Sequence, residues 1–241
     1  REGRIDDIRA CIACNQACIG HVALGTPISC IQHPETGREL AYGTRGRTEQ
    51  PRRVLVAGGG PAGMKAAAVA AERGHHVTLC EASGQLGGQA LLAQQLPKRA
   101  EFGGIVTNLA REMELAGVEV RLSTPVTVEL ARSEGADMVI VATGALAHLP
   151  EIEGAEDGHV VTAWQVLTRE VNCGGSVVVA DWRGDWIGVG IAQMLAQEGR
   201  RVRLVTSCNA PGISMPASVR DQIVGELARL TVEITPNARL F

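Results

Sequence analysis

The sequence predicts an α/β fold of two tandem parallel-sheet units behind a short cysteine-rich segment. Three observations predict it. From position 53 a strand, a glycine turn, an alanine-rich helix and a second strand follow within about 30 residues, the order that builds a parallel sheet. The same order returns from position 176. Four of the seven cysteines lie in the first 30 residues, ahead of both units.

Composition agrees with this class. Hydrophobic residues make up 45% of the 241 and aromatics only 2%, so Ala, Val, Leu and Gly must fill the core. Small side chains let helices lie close on a sheet. A net charge of −3 without a long basic run argues against nucleic acid or an anionic membrane surface as partner. No stretch approaches the ~20 apolar residues that span a bilayer, and the opening REGRIDDIRA is too charged for a signal peptide. The uneven cysteine spacing does not suit a secreted disulfide framework and points to a reducing, cytoplasmic setting. Cys80, Cys173 and Cys208 stand beside apolar runs and are expected as small core residues.

Taken in order, residues 1–33 hold the cysteines, and 34–52 are polar, rich in Gly and Arg, and read as a linker. Residues 53–57 (RVLVA) form a strand, 61–73 a helix ended by Gly74, and 76–80 (HVTLC) a second strand. Helical spacing returns over 99–116, followed by a strand at 118–122. The unbroken apolar run 138–142 (MVIVA) is expected at the centre of a sheet. After a loop at 144–160, residues 176–180, 187–198 and 202–205 form the strand, helix and strand of the second unit.

Cys11, Cys14, Cys18 and Cys30 follow the spacing C-x2-C-x3-C-x11-C. Three thiolates within eight residues converge only if the backbone wraps one object, and compact runs of this kind hold cubane iron–sulfur clusters. Structural zinc is the rival, although it usually takes two C-x2-4-C knuckles or Cys with His, and His21 and His33 are near.

Residues 58–63 (GGGPAG) place a G-x-G-x-x-G between a strand and a helix. Gly58 permits the tight turn, Gly60 admits a pyrophosphate to the backbone, and Gly63 lets the helix approach the strand. Pro61 and Ala62 open that helix, whose free N–H groups favour phosphate. Glu81 follows the second strand, where an acid accepts hydrogen bonds from a ribose. A glycine turn kept for packing alone is the alternative. In the second unit the turn reads Ala180-Asp-Trp-Arg-Gly184-Asp-Trp-Ile-Gly188. Alignment sets Arg183 and Asp185 on the first two glycine positions and keeps only Gly188, which disfavours NAD(P)H there.

These motifs, together with Leu86-Gly-Gly-Gln89, resemble the C-terminal half of the iron–sulfur branch of the old yellow enzyme family. That branch includes trimethylamine dehydrogenase, 2,4-dienoyl-CoA reductase and N-methyl amino-acid demethylases. The resemblance implies tandem Rossmann-like units of the glutathione-reductase-like FAD/NAD(P) kind, with 53–160 binding FAD or ADP and 161–241 forming an incomplete second NAD(P)-like unit. It implies a [4Fe–4S] cluster on Cys11, Cys14, Cys18 and Cys30. It implies cofactor contacts from Gly58, Gly60, Pro61, Ala62, Gly63, Glu81, Gly87, Gly88, Gln89, Val126, Ala142, Thr143 and Gly144. It also implies an FMN-binding TIM barrel, on the same polypeptide or a separate subunit, an oligomer, and an electron-transferring flavoprotein as acceptor. The chain is thus expected to relay electrons in an N-methyl amine or amino-acid demethylase or dehydrogenase. An NAD(P)H-dependent enoyl reductase and a non-catalytic electron-transfer subunit are the alternatives. No residue stands out as an acid, base or nucleophile for substrate chemistry, and His148 and His159 are expected on the surface.

Overall fold

The computed structural model describes residues 3–44 and 46–239. The chain divides into two compact units. The first comprises residues 1–14, 32–94 and 100–145; the second comprises 15–31, 95–99 and 146–241. The cysteine segment therefore does not stand alone. Residues up to Cys14 group with the first unit, and the next 17 with the second. In the second lie helix α1 (His21–Ala23) and a π turn at Gln16–Gly20. The stretch read as a linker packs within the first unit, forms the short helix α2 (Glu39–Tyr42), and donates Thr48 N–H to Arg73 O at 2.8 Å.

The first unit is built on a parallel sheet. Strand β1 (Arg53–Ala57) leads into helix α3 (Pro61–Glu72) and strand β2 (His76–Cys80). A short helix α4 (Ala90–Ala93) and the long helix α5 (Gly103–Ala116) follow, then strand β3 (Glu119–Arg121), helix α6 (Val128–Ser133) and strand β4 (Met138–Val141). The order across the sheet is β3-β2-β1-β4. Val54, Val56, Val77 and Leu79 turn one face toward Met64, Ala67, Ala68, Ala71, Leu109 and Met113 of α3 and α5. The alanines explain how α3 lies on the sheet without large side chains, as the composition requires. Gly74 ends α3 with φ +94°, a left-handed conformation suited to glycine.

Position in the sheet differs from expectation for one strand. The run at 138–141 is an edge among the described strands, paired with β1, and Val141 is 74% exposed. An apolar run marks a strand but not its place in the order. The centre falls to β1 and β2, each flanked on both sides.

Polar ties hold residues 3–12 to the first unit. Arg111 Nε donates to Asp7 Oδ1 at 2.8 Å, and Arg9 pairs with Glu112, which also takes Lys65 Nζ of α3 at 2.8 Å. Gln32 Nε2 donates to Ala10 O at 3.0 Å, and Ile12 is buried.

The second unit has helix α7 (Ala163–Leu167), strand β5 (Ser176–Asp181), helix α8 (Trp186–Gln197), strand β6 (Arg201–Thr206), helix α9 (Ala217–Arg229) and strand β7 (Glu233–Thr235). Its parallel sheet has the order β5-β6-β7. Helix α8 is buried from Gly188 to Leu195, and the insertion at 95–99 packs on it. Leu96 lies against Gly190, and the Arg99 guanidinium stacks 3.3 Å above the Trp186 ring. Gly20 touches Pro216, so residues 15–31 belong to this unit by contact. Among the described residues no helix is long and apolar enough to cross a membrane.

Candidate cofactor site and cysteine segment

The glycine turn is tight for a visible reason. Gly58 has φ +114°, and a Cβ on it would run into the Ala142 carbonyl. A Cβ on Gly63 would strike Gly58 O and meet the Ala142 side chain. The backbone of β4's end therefore presses on the turn, and Ala142 N–H donates to Ala57 O at 2.8 Å. Gly60 is different: a Cβ there would meet nothing within 4 Å. It is the N-cap of α3, extended at φ −75°, ψ 173°, with no side-chain cap. Pro61 then opens the helix. The first-turn N–H groups of Ala62 and Gly63 have no intrahelical acceptor and carry the helix's partial positive charge. An open cradle at Gly60 above a bare helix N-terminus fits a pyrophosphate.

Glu81 sits directly after β2. Its carboxylate accepts from Gly59 N–H at 2.6 Å and from Ser83 N–H at 2.8 Å. Burial pushes against its charge, but the hydrogen bonds from Ser83 and Gly59 outweigh burial and hold its carboxyl below the usual carboxylate range. It stays ionised, an acceptor beside the glycine turn. Thr124 N–H donates to Glu81 O at 2.8 Å and so brings in the loop that carries the half-buried Val126.

Two further segments close on the turn. Gly87 N–H donates to Gly59 O at 2.8 Å, and a Cβ on Gly88 would press on Gly60 Cα. Both glycines have positive φ, +120° and +49°. Gln89 Nε2 donates to Ala145 O at 3.0 Å, just past Ala142, Thr143 and Gly144. The first unit thus gathers 58–63, 81, 87–89 and 142–144 around one turn. Gly59 and Ser83 were missed in the sequence, although the triple glycine was there to see. Their part is structural: they orient Glu81.

None of the seven cysteines is in a disulfide. Cys14 is buried, Cys18 and Cys30 are half-buried, and Cys11 is exposed and accepts Ala13 N–H at 3.3 Å. Ala13 and Asn15 flank Cys14 with φ of +51° and +55°, an uncommon conformation away from glycine. Among the described residues no three of His, Cys, Asp and Glu are gathered as a metal site. The fit to a cluster rests on the donor set, four thiols outside any disulfide, with the Ala13 amide already directed at the Cys11 sulfur. Of the other cysteines, Cys80 is buried as expected, whereas Cys173 and Cys208 are only half-buried. His148 and His159 are exposed.

The second turn corrects the alignment read from sequence. Val54 pairs with Val77 and Ala57 with Cys80; Val177 pairs with Val202 and Ala180 with Val205. Continuing each register by one residue places Asp181, not Arg183, at the position of Gly58, and Thr206 at that of Glu81. The packing agrees, since Gly63 abuts Gly58 and Gly188 abuts the Asp181 side chain. The extra length of the turn, two residues between Asp181 and Gly188, misled the alignment.

The family model described as pyridine nucleotide-disulphide oxidoreductase matches residues 52–240. The chain is 36% identical over 235 residues to the NADH oxidase of Thermoanaerobacter brockii, covering 96% of this chain and 36% of that protein. It is 37% identical over 219 residues to the N,N-dimethylglycine/sarcosine dehydrogenase of Chromohalobacter salexigens, covering 87% and 31%. Among solved structures, 2-naphthoyl-CoA reductase superposes with a TM-score of 0.91 at 28% identity, covering 98% of this chain and 36% of that one. The chain spans about a third of the length of these proteins. The matches bear out the resemblance to the C-terminal half of the old yellow enzyme relatives. With this match over most of its length, and with a bare helix end at an open glycine turn beside an ionised acid, the chain belongs to the pyridine nucleotide-disulphide oxidoreductase family of flavoprotein oxidoreductases.

Proposed function

We propose that this chain is the electron-relay portion of an iron–sulfur flavoprotein dehydrogenase or demethylase acting on N-methylated amines or amino acids. The observation that carries the reading is the open cradle at Gly60 over the uncapped start of α3, with Glu81 held ionised beside it. Gly60 would admit the pyrophosphate, the Ala62 and Gly63 N–H groups would hold it, and Glu81 would accept from the ribose hydroxyls. Gly87, Gly88, Gln89, Ala142, Thr143 and Gly144 would line the rest of the cofactor's site. Bound there, FAD would supply electron exchange in one- and two-electron steps; ADP at the same turn would supply none. Cys11, Cys14, Cys18 and Cys30 would ligate a [4Fe–4S] cluster. Substrate chemistry would belong to an FMN-binding barrel, on the same polypeptide or a partner subunit, and an electron-transferring flavoprotein would collect the electrons. The likeness to a dimethylglycine/sarcosine dehydrogenase supports the substrate class.

Anaerobic purification tests the reading. The expected product is brown, with about four irons and four sulfides per chain and one tightly held adenine cofactor. One zinc without iron, or a chain that binds neither FAD nor ADP, would overturn it.

A further inference from the structure

The two turns of this chain treat anions in opposite ways. At the first, the helix N-cap is Gly60 and no side chain caps the helix. At the second, the chain supplies its own carboxylates. Asp181 is 4% exposed, and its Oδ1 accepts from Arg183 N–H and Gly184 N–H, each at 3.0 Å. Asp185 caps α8 by accepting Ile187 N–H at 3.0 Å, and its other oxygen takes Arg183 Nε at 2.6 Å. The position matching Glu81 holds Thr206, fully buried, whose hydroxyl accepts Cys208 N–H at 3.3 Å. The ribose acceptor of the first unit therefore has no counterpart in the second.

We propose that Asp181 is the specificity-determining residue that shuts the second turn to dinucleotides, because its carboxylate occupies the space and the backbone N–H groups that a pyrophosphate would use. The space is filled in a definite way. The side chain lies so close to Gly188 that a Cβ there would collide with it, so that glycine is needed to house the carboxylate. The charge acts in the same direction, since a pyrophosphate brought beside Asp181 and Asp185 meets two like charges. Asp181 Oδ2 is buried with no hydrogen-bond partner among the described residues. Burial pushes this carboxyl up, against the two backbone N–H groups that favour its ionised form. A buried acid with one oxygen lacking a partner calls for a reason beyond packing. Closure of the turn supplies one. This assignment concerns the second unit alone and holds whether or not the first turn carries FAD.

The test is a calorimetric titration of NADH and NADPH into the full chain, with FAD in excess to fill the first turn. Wild type, Asp181→Gly and Asp181→Ala are compared after their melting midpoints confirm folding. Wild type is expected to show no saturable binding up to about 1 mM, and Asp181→Gly to bind at least tenfold more tightly than that limit. Should Asp181→Gly fail to fold, Asp181→Ala, which frees the same two N–H groups, is read in its place. Saturable binding by wild type would overturn the proposal, as would a folded variant with no gain. Loss of FAD from the first turn in the same samples would count against the relay reading and leave this assignment standing.

Discussion

Glu81 shows how much a single side chain organises here. Its two oxygens hold Gly59 and Ser83, so the acid that would receive a ribose also stitches the turn together. Glu81→Ala is expected to cost about 1–3 kcal/mol of unfolding free energy, because two N–H groups lose a charged partner; urea denaturation measures it. The carboxyl is depressed when folded. A depressed carboxyl contributes stability that is present above its unfolded value, about 4.3 for Glu, and is lost as pH falls through the folded value. The gap in melting temperature between wild type and Glu81→Gln should therefore hold steady above about pH 5 and narrow below about pH 4. The glycines divide by role. Gly58→Ala forces a side chain into a positive φ and into Ala142 O, at a cost on the order of 1–3 kcal/mol. Gly60→Val enters open space and should leave the melting temperature nearly unchanged while abolishing dinucleotide binding.

At the scale of elements, most of the first unit was legible because each signal had one physical meaning. A strand, three glycines and Pro61 at a helix start leave little choice, and Gly74 marks the helix end. The helix expected over 99–116 ends where it was read, at Ala116, but begins at Gly103, after a 3-10 turn at Ala100–Phe102. Strand β4 was misplaced because an apolar run is alike in the middle and at the edge. Asp181 was overlooked because two extra turn residues shift the glycine pattern, and strand pairing, which restores the alignment, is not written in one sequence. The cysteine segment was legible in spacing but not in grouping. Its halves group with different units, which spacing alone does not show. Replacing any one of Cys11, Cys14, Cys18 or Cys30 by Ser is expected to lower iron content well below the wild-type value, whereas Cys173→Ser should leave it unchanged. Iron and sulfide assays on anaerobically purified protein check this, and equal iron in all five variants would remove the cluster assignment.

Across the whole molecule, each compact unit carries its own sheet and its own buried core. Leu79 is fully buried in the first and Leu204 in the second. Truncating either to alanine should cost about 2–5 kcal/mol, and hydrogen exchange should show the lost protection mainly within the unit that was altered. The proposed division of labour follows the same line: an open turn that would take a redox dinucleotide in one unit, a turn filled by its own acids in the other. Retention of FAD tests this most directly. The chain is incubated with FAD, freed of excess, and assayed for bound flavin and melting temperature, beside Gly60→Val. The account predicts one FAD per wild-type chain and none in a Gly60→Val chain that melts as wild type does. A Gly60→Val chain that keeps its FAD, or a wild-type chain that holds two, would contradict it.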